Sequence, residues 1–405
     1  MIHLRWLKRF VATLAGLLIL ALAINLLIDP YGVYRVVAVE GVNANKHLGT
    51  DHIRETNHYL AIERGARSLA MGNSRVAIAI DPRHPGWGEA QGPVHNLSLP
   101  GAAIDELEVY LRTVLKRQPL KKVVIGLDLL MFNSTGYRRE DSYKSKEDSP
   151  WDFHKNLLLS VHTLKDSFNT LRKQNNFKYP DYRADGMMSE SFMANRVARD
   201  GYLKTFHRAE TNYLQFRPEF HATNPDNGAS RYDSLREIIR LSRQHDFELV
   251  LFISPMHARY LELLDFSGLS DDTEEWIRTL LHIVQEDAAL HPGQRPVELW
   301  DFSGYNSITT ERVPPPDDVK TVMTYYWETS HYKNAAGDLV LDRLLNYVAP
   351  NRNLPEDFGV KLDPEKVEDH LSRMRGQREA YRRQNPLEIE DLNRLRSKYW
   401  ESRPL

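Results

Sequence analysis

The chain has 405 residues, 41% hydrophobic and 10% aromatic, enough apolar side chains to bury a core and too many for a wholly disordered chain. A net charge of -2 gives no global reason to expect nucleic acid or an acidic polymer as partner. The lack of cysteine excludes disulfides, thiolate metal sites and a cysteine nucleophile, and it suits an oxidising compartment.

At the amino terminus, Arg5, Lys8 and Arg9 precede an apolar run from Phe10 to Ile28 broken only by the polar Thr13 and Asn25. The run is about as long as a bilayer's hydrocarbon core at 1.5 Å per residue. This pattern predicts one transmembrane anchor within residues 1–30, with the basic flank cytoplasmic and the bulk of the chain outside. Ala21-Leu22-Ala23 is the alternative, a signal-peptide cleavage site, but the apolar run continues past it to Ile28. Residues 31–64 are mixed and polar, and read as a stalk or wrapping segment.

Short apolar runs then mark buried strands at Ser68–Met71, Val94–Leu97, Lys122–Leu127, Glu248–Ile253 and Val297–Trp300. Between them, Asp105–Arg117 and Tyr232–Gln244 repeat apolar residues at helical spacing. Alternating strand and helix predicts an α/β domain over residues 65–348, with a parallel sheet covered by helices. Residues 134–226 are too long for a simple connection and read as an insertion, with a helix over Asn156–Leu171. Residues 349–405 read as a charged helical extension, in which Asp363–Arg383 is a solvated surface helix.

In a parallel α/β sheet, sites form beyond the carboxyl ends of the strands. Ser74 follows the first strand there, after Gly72 and Asn73, where glycine permits a tight exit. Far downstream, Glu328 and His331 lie three residues apart in Trp327-Glu328-Thr329-Ser330-His331-Tyr332. A serine hydroxyl needs a base to take its proton, and the base needs a carboxylate to fix its tautomer. Ser74, His331 and Glu328 supply those parts. The Ser74 N–H and that of Gly101, after the second strand, are expected oxyanion donors. Asn96, Asp128, Asn133 and His257 also fall at strand ends, as substrate-side polar groups or as loop supports. Ser74 taken alone also fits an ordinary helix N-cap. His84, His245 and His291 lack ligand spacing, so no metal is expected.

The ordered blocks Gly72-Asn73-Ser74, Gly101, Gly126–Asn133 and Glu328-Thr329-Ser330-His331 resemble the SGNH (GDSL-type) esterase superfamily. Asn96-Leu97-Ser98, Ser254-Pro255-Met256-His257 and Gly337-Asp338-Leu339 resemble its membrane-anchored branch, which contains alginate and exopolysaccharide O-acetylation proteins. The chain departs from the superfamily at Asn73 and Glu328, where aspartates are usual, and in lacking a Gly-x-Asn-Asp third block. Asn133 is one substitute for the missing side-chain oxyanion donor. The resemblance implies a three-layer, flavodoxin-like domain and a cofactor-free serine esterase or O-acetyltransferase. It implies a bacterial inner-membrane anchor, acetyl esters of an envelope or exported polysaccharide as substrate, and an integral-membrane acyltransferase as possible partner. Tyr179, Tyr182 and Tyr202 are candidates for stacking on sugar rings, or for the core. The rival expectation is a non-catalytic glycan-binding or docking protein; a lipid or thioester hydrolase is a third.

Overall fold

The computed structural model describes residues 2–46, 49–134, 150–174, 182–216, 219–225, 227–318 and 320–400. It opens with helix α1 (Ile2–Ile28), long and apolar enough to cross a membrane. Leu7, Phe10, Leu14, Leu17 and Leu18 are exposed along it. Its last turns are not free. Asn25, which interrupts the apolar run, is buried; its Nδ2 donates to the carbonyls of Leu158 and Ser160, at 2.9 and 3.3 Å, and its Oδ1 accepts from the Ser167 hydroxyl at 3.0 Å. A polar residue at this depth answers backbone groups that would otherwise be buried unpaired.

Residues 31–64 do not form a free stalk. Helix α2 (Gly49–Glu63) buries Ile53, Tyr59, Leu60 and Ala61 in the domain. Strand β1 (Ser68–Met71), helix α3 (Ser74–Ala79), strand β2 (Val94–Asn96), helix α4 (Ile104–Leu115) and strand β3 (Lys122–Leu127) follow. The insertion carries helices α5 (Pro150–Leu158), α6 (Val161–Arg172), α7 (Ser191–Asp200) and α8 (Tyr202–Phe216). The single helix expected over 156–171 is therefore two. Ser160 breaks it, capping α6 with a hydroxyl that accepts from the N–H groups of His162 and Thr163.

Helix α9 (Arg231–Gln244), strand β4 (Glu248–Ile253), helices α10 (Ala258–Phe266) and α11 (Ser270–Leu290), strand β5 (Glu298–Asp301) and helix α12 (Asn334–Leu344) complete the expected alternation. The sheet order is β2-β1-β3-β4-β5, all parallel, extended by antiparallel β6 (Val360–Lys361) beside β5. Strand order reverses at β1/β3, the place where open α/β sheets leave a crevice.

Close approach of backbone decides the crevice floor. A Cβ on Gly72 would lie 2.4 Å from Val76 Cγ2, and one on Gly126 would meet the same atom at 2.4 Å. Both glycines therefore exist to seat the first turn of α3 on the ends of β1 and β3, rather than to reach positive φ. Gly337 does likewise for α12, where a Cβ would meet the Ala79 carbonyl oxygen.

The C-terminal extension is docked, not merely solvated. Helix α13 (Val367–Gln384) brings His370 Nε2 within 2.7 Å of Asp301 Oδ2, and Arg382 Nη2 within 2.8 Å of Glu262 Oε2. Helix α14 (Pro386–Trp400) packs on α8, with Asp391 Oδ2 at 2.7 Å from Arg259 Nη2 and 2.8 Å from His207 Nε2.

Candidate active site

Ser74 and His331 meet although 257 residues separate them: Ser74 Oγ lies 2.8 Å from His331 Nε2. On the other side of the ring, His331 Nδ1 contacts Glu328 Oε1. A proton held between Nδ1 and the carboxylate leaves the Nε2 lone pair facing the serine hydroxyl. Ser74 is not the N-cap of α3. Asn73 takes that task, its Oδ1 accepting from the Arg75 N–H at 2.9 Å, and this leaves the Ser74 hydroxyl for the imidazole. Ser74 is half-buried and the His331 side chain is 26% exposed, so the pair is open to a reactant from solvent.

Glu328 and His331 sit in a tight reverse turn closed by an antiparallel bridge between Tyr326 and Tyr332. The longer glutamate folds back into this turn. Its Oε1 accepts from the His331 N–H at 3.0 Å and the Ser330 hydroxyl at 3.0 Å, and its Oε2 accepts from the Ser330 N–H at 2.9 Å. Burial pushes the Glu328 carboxyl upward, but its contact with His331 and these donors outweigh burial and hold it below the usual glutamate range. It is an anion held in place behind the imidazole.

The residue after the candidate nucleophile locks the two segments together. Arg75 is buried; its Nε donates to the Ser330 carbonyl at 3.0 Å, its Nη1 lies 2.8 Å from Asp128 Oδ2, and its Nη2 donates to the Tyr213 hydroxyl at 3.2 Å. Asp128 Oδ2 also accepts from Asn73 Nδ2. The guanidinium lies over the Tyr260 ring, 5.0 Å from its centroid. The sequence by itself gives Arg75, Ser330 and Tyr213 no role. An arginine directly after the serine was the one visible signal; Tyr213 lay in the insertion with nothing to mark it.

The other expected site residues separate into supports. Asp128 holds Asn73 and Arg75 from beneath. Asn96 is buried and spends both Nδ2 hydrogens on the carbonyls of Val76 and Ile80, each at 2.9 Å, so it braces α3 instead of facing a substrate. Asn133 donates to the Glu219 carbonyl at 2.6 Å and accepts from the His221 N–H at 3.1 Å, tying the end of the β3 segment to the insertion. His257 is buried, caps α10, and pairs its Nε2 with the Glu311 carbonyl at 2.7 Å; its N–H donates to the Thr329 carbonyl at 3.2 Å. It therefore carries the Glu328–His331 turn. Burial pushes its imidazole down to about 3, which keeps it neutral.

Gly101 is exposed in a turn at φ +68, a conformation that suits glycine. Its loop is held from α2: Arg54 Nη2 donates to the Pro100 carbonyl at 2.8 Å and pairs with Glu106, while Asn57 Nδ2 donates to the Asn96 carbonyl at 3.0 Å. Tyr182 and Tyr202 are buried, which favours the core role over stacking; Tyr179 lies outside the described residues. His84 pairs with Asp342 in a cluster that Arg352 completes, and His291 pairs with Asp287, which Arg243 also holds. The chain matches no protein-family model, and no curated protein matches it.

Proposed function

We propose that this chain is a membrane-anchored serine acyl-ester enzyme, an esterase or O-acetyltransferase of SGNH type on a three-layer, flavodoxin-like domain. Its substrate is an acetyl ester of an envelope or exported polysaccharide, met on the extracytoplasmic side of a bacterial inner membrane. The observation that carries this reading is the Ser74 Oγ–His331 Nε2 separation of 2.8 Å, with the Glu328 carboxylate behind the ring. Ser74 Oγ attacks the ester carbonyl carbon while His331 Nε2 takes its proton. The tetrahedral oxyanion is met by backbone N–H groups at Ser74 and Gly101. Collapse breaks the acyl–oxygen bond, and His331 returns its proton to the departing alcohol. Water or a sugar hydroxyl then attacks the acetyl-serine by the same proton path in reverse, so hydrolysis and transfer share one machinery.

The anchor places this chemistry at a membrane surface, where an integral-membrane acyltransferase can pass on an acetyl group. Exposed Trp151 and Val161, on the two helices α5 and α6 that pack against α1, suit such a surface. The test uses full-length protein in detergent. Release of an activated acetyl ester is measured beside acetyl transfer to oligosaccharides, for the native chain and Ser74→Ala. Turnover lost in Ser74→Ala supports the reading. An inactive native protein that still binds oligosaccharide would replace it with the docking role.

A further inference from the structure

The residues that meet beside the base of α1 form a second constellation, unrelated to Ser74. His162 and Asp166 occupy successive turns of α6, a spacing that puts both on one face. His52 arrives from α2. His162 Nε2 lies 3.4 Å and His52 Nε2 3.9 Å from the same atom, Asp166 Oδ2, and the three atoms all fall within 4.8 Å of one another. Neither imidazole is at ordinary hydrogen-bond length from the carboxylate. We propose that His52, His162 and Asp166 bind one divalent transition ion of the zinc class, which clamps α6 to α2.

The donor set fits that ion. Two neutral imidazoles and one carboxylate make a three-ligand zinc site with a fourth position for water. Bonds of about 2.0–2.2 Å to a common centre require ligand atoms roughly 3.3 Å apart in a tetrahedron. Asp166 and His162 already satisfy this, and the His162 side chain, 67% exposed, has room to swing toward His52.

The surroundings also fit. Glu55 Oε2 lies 3.3 Å from His52 Nδ1, on the far side of the ring, so a proton there leaves the Nε2 lone pair facing Asp166. The Tyr31 hydroxyl donates to Asp166 Oδ2 at 2.6 Å and orients the carboxylate, and the Tyr31 ring packs 4.0 Å from that of His52. A cleft of about 310 Å³ lined by Tyr31, His52, Tyr110 and His162 gives the ion a path and its water a place. Imidazole ligands select against magnesium and calcium, which prefer all-oxygen sites. Because α6 packs along α1, the clamp fixes the membrane helix relative to the domain body.

The experiment is a zinc titration of chelator-treated, full-length protein in detergent against a competing chromogenic chelator, with melting curves recorded in parallel. One Zn(II) per chain is expected, with a rise in melting temperature that magnesium does not reproduce. His162→Ala, at an exposed position that folding tolerates, removes both effects. Glu55→Gln keeps all three ligands and weakens binding by about 10–100-fold. Ser74→Ala retains full binding, which separates this test from that of the enzyme reading. Equal zinc affinity in the native, His52→Ala and His162→Ala chains, or no stoichiometric binding by the native chain, overturns the proposal.

Discussion

Arg75 is joined beneath the surface to Ser330, 255 residues downstream: its Nε donates to the Ser330 carbonyl at 3.0 Å. Ser74 precedes Arg75 and His331 follows Ser330. A hydrogen bond between their neighbours therefore ties the segment that carries the hydroxyl to the turn that carries the imidazole.

Breaking that link is expected to damage both stability and turnover. Arg75→Ala leaves Asp128 buried without its cation, which costs about 3–5 kcal/mol. Asp128→Ala together with Arg75→Ala should cost less than the two losses added, since the pair is coupled. Denaturant unfolding of the four chains checks this, and simple additivity would show that the residues act apart.

Within the proposed mechanism, Ser74→Ala and His331→Ala each lower ester turnover by at least about 10³-fold, and the double variant is little worse, because such residues act as a unit. Glu328→Gln is expected to hurt less, since the carboxylate orients and stabilises charge without exchanging the substrate's proton. Rates and melting temperatures are measured together, so that a folding defect is not mistaken for lost chemistry.

Packing at the crevice floor gives a suppressor test. Gly126→Ala places a Cβ 2.4 Å from Val76 Cγ2 and 2.8 Å from Phe252 Cζ. Overpacking of this kind costs about 1–3 kcal/mol and lifts the first turn of α3, which carries Ser74. Val76→Ala opens space on the same contact and is expected to recover part of both stability and turnover in the double variant.

Acid sensitivity follows from three buried imidazoles. Burial opposes their charged forms and pushes His58 down to about 4, His95 to about 3 and His257 to about 3. Unfolded, each titrates near 6.5. Between these limits the unfolded chain binds more protons, so this contribution is full above about pH 6.5 and is lost as pH falls, to about 4 for His58 and about 3 for His95 and His257. Each histidine contributes a slope of up to about 1.4 kcal/mol per pH unit. Urea midpoints from pH 7.5 to 4.5 should show the fall, and His95→Gln should flatten it.

The membrane arrangement is tested by reporter fusion. A reporter joined after Leu60 is expected to be active only outside the cytoplasm, by the basic flank Arg5, Lys8 and Arg9. Cytoplasmic activity would reverse the orientation.

Local pattern alone marked β1, β3 and β4, whose apolar runs match the strands residue for residue, and it placed β5 one residue early. A buried parallel strand is apolar on both faces, so its whole length is visible in the sequence. Ser74, Glu328 and His331 were legible because reactive residue types stood at strand ends and in one short block. Their meeting was decided only by the tertiary structure, since the turn from Tyr326 to Tyr332 is set on the sheet by His257, Tyr326 and Arg75. The same holds for Asn96 and Asn133: a buried amide and a substrate-facing amide look alike in sequence, and the choice depends on which carbonyls lie near. Helix α2 was hidden for a related reason. Its polar surface reads as a stalk, and only packing against α4 and the Gly101 loop shows which of its residues are inside. Strand β6 spans two residues, too short to carry a periodicity, and exists because β5 offers it an edge. Sequence determined the elements whose stability is local and apolar; long-range hydrogen bonds, an ion pair and the packing of α3 on two glycines determined how the serine meets the histidine and its glutamate.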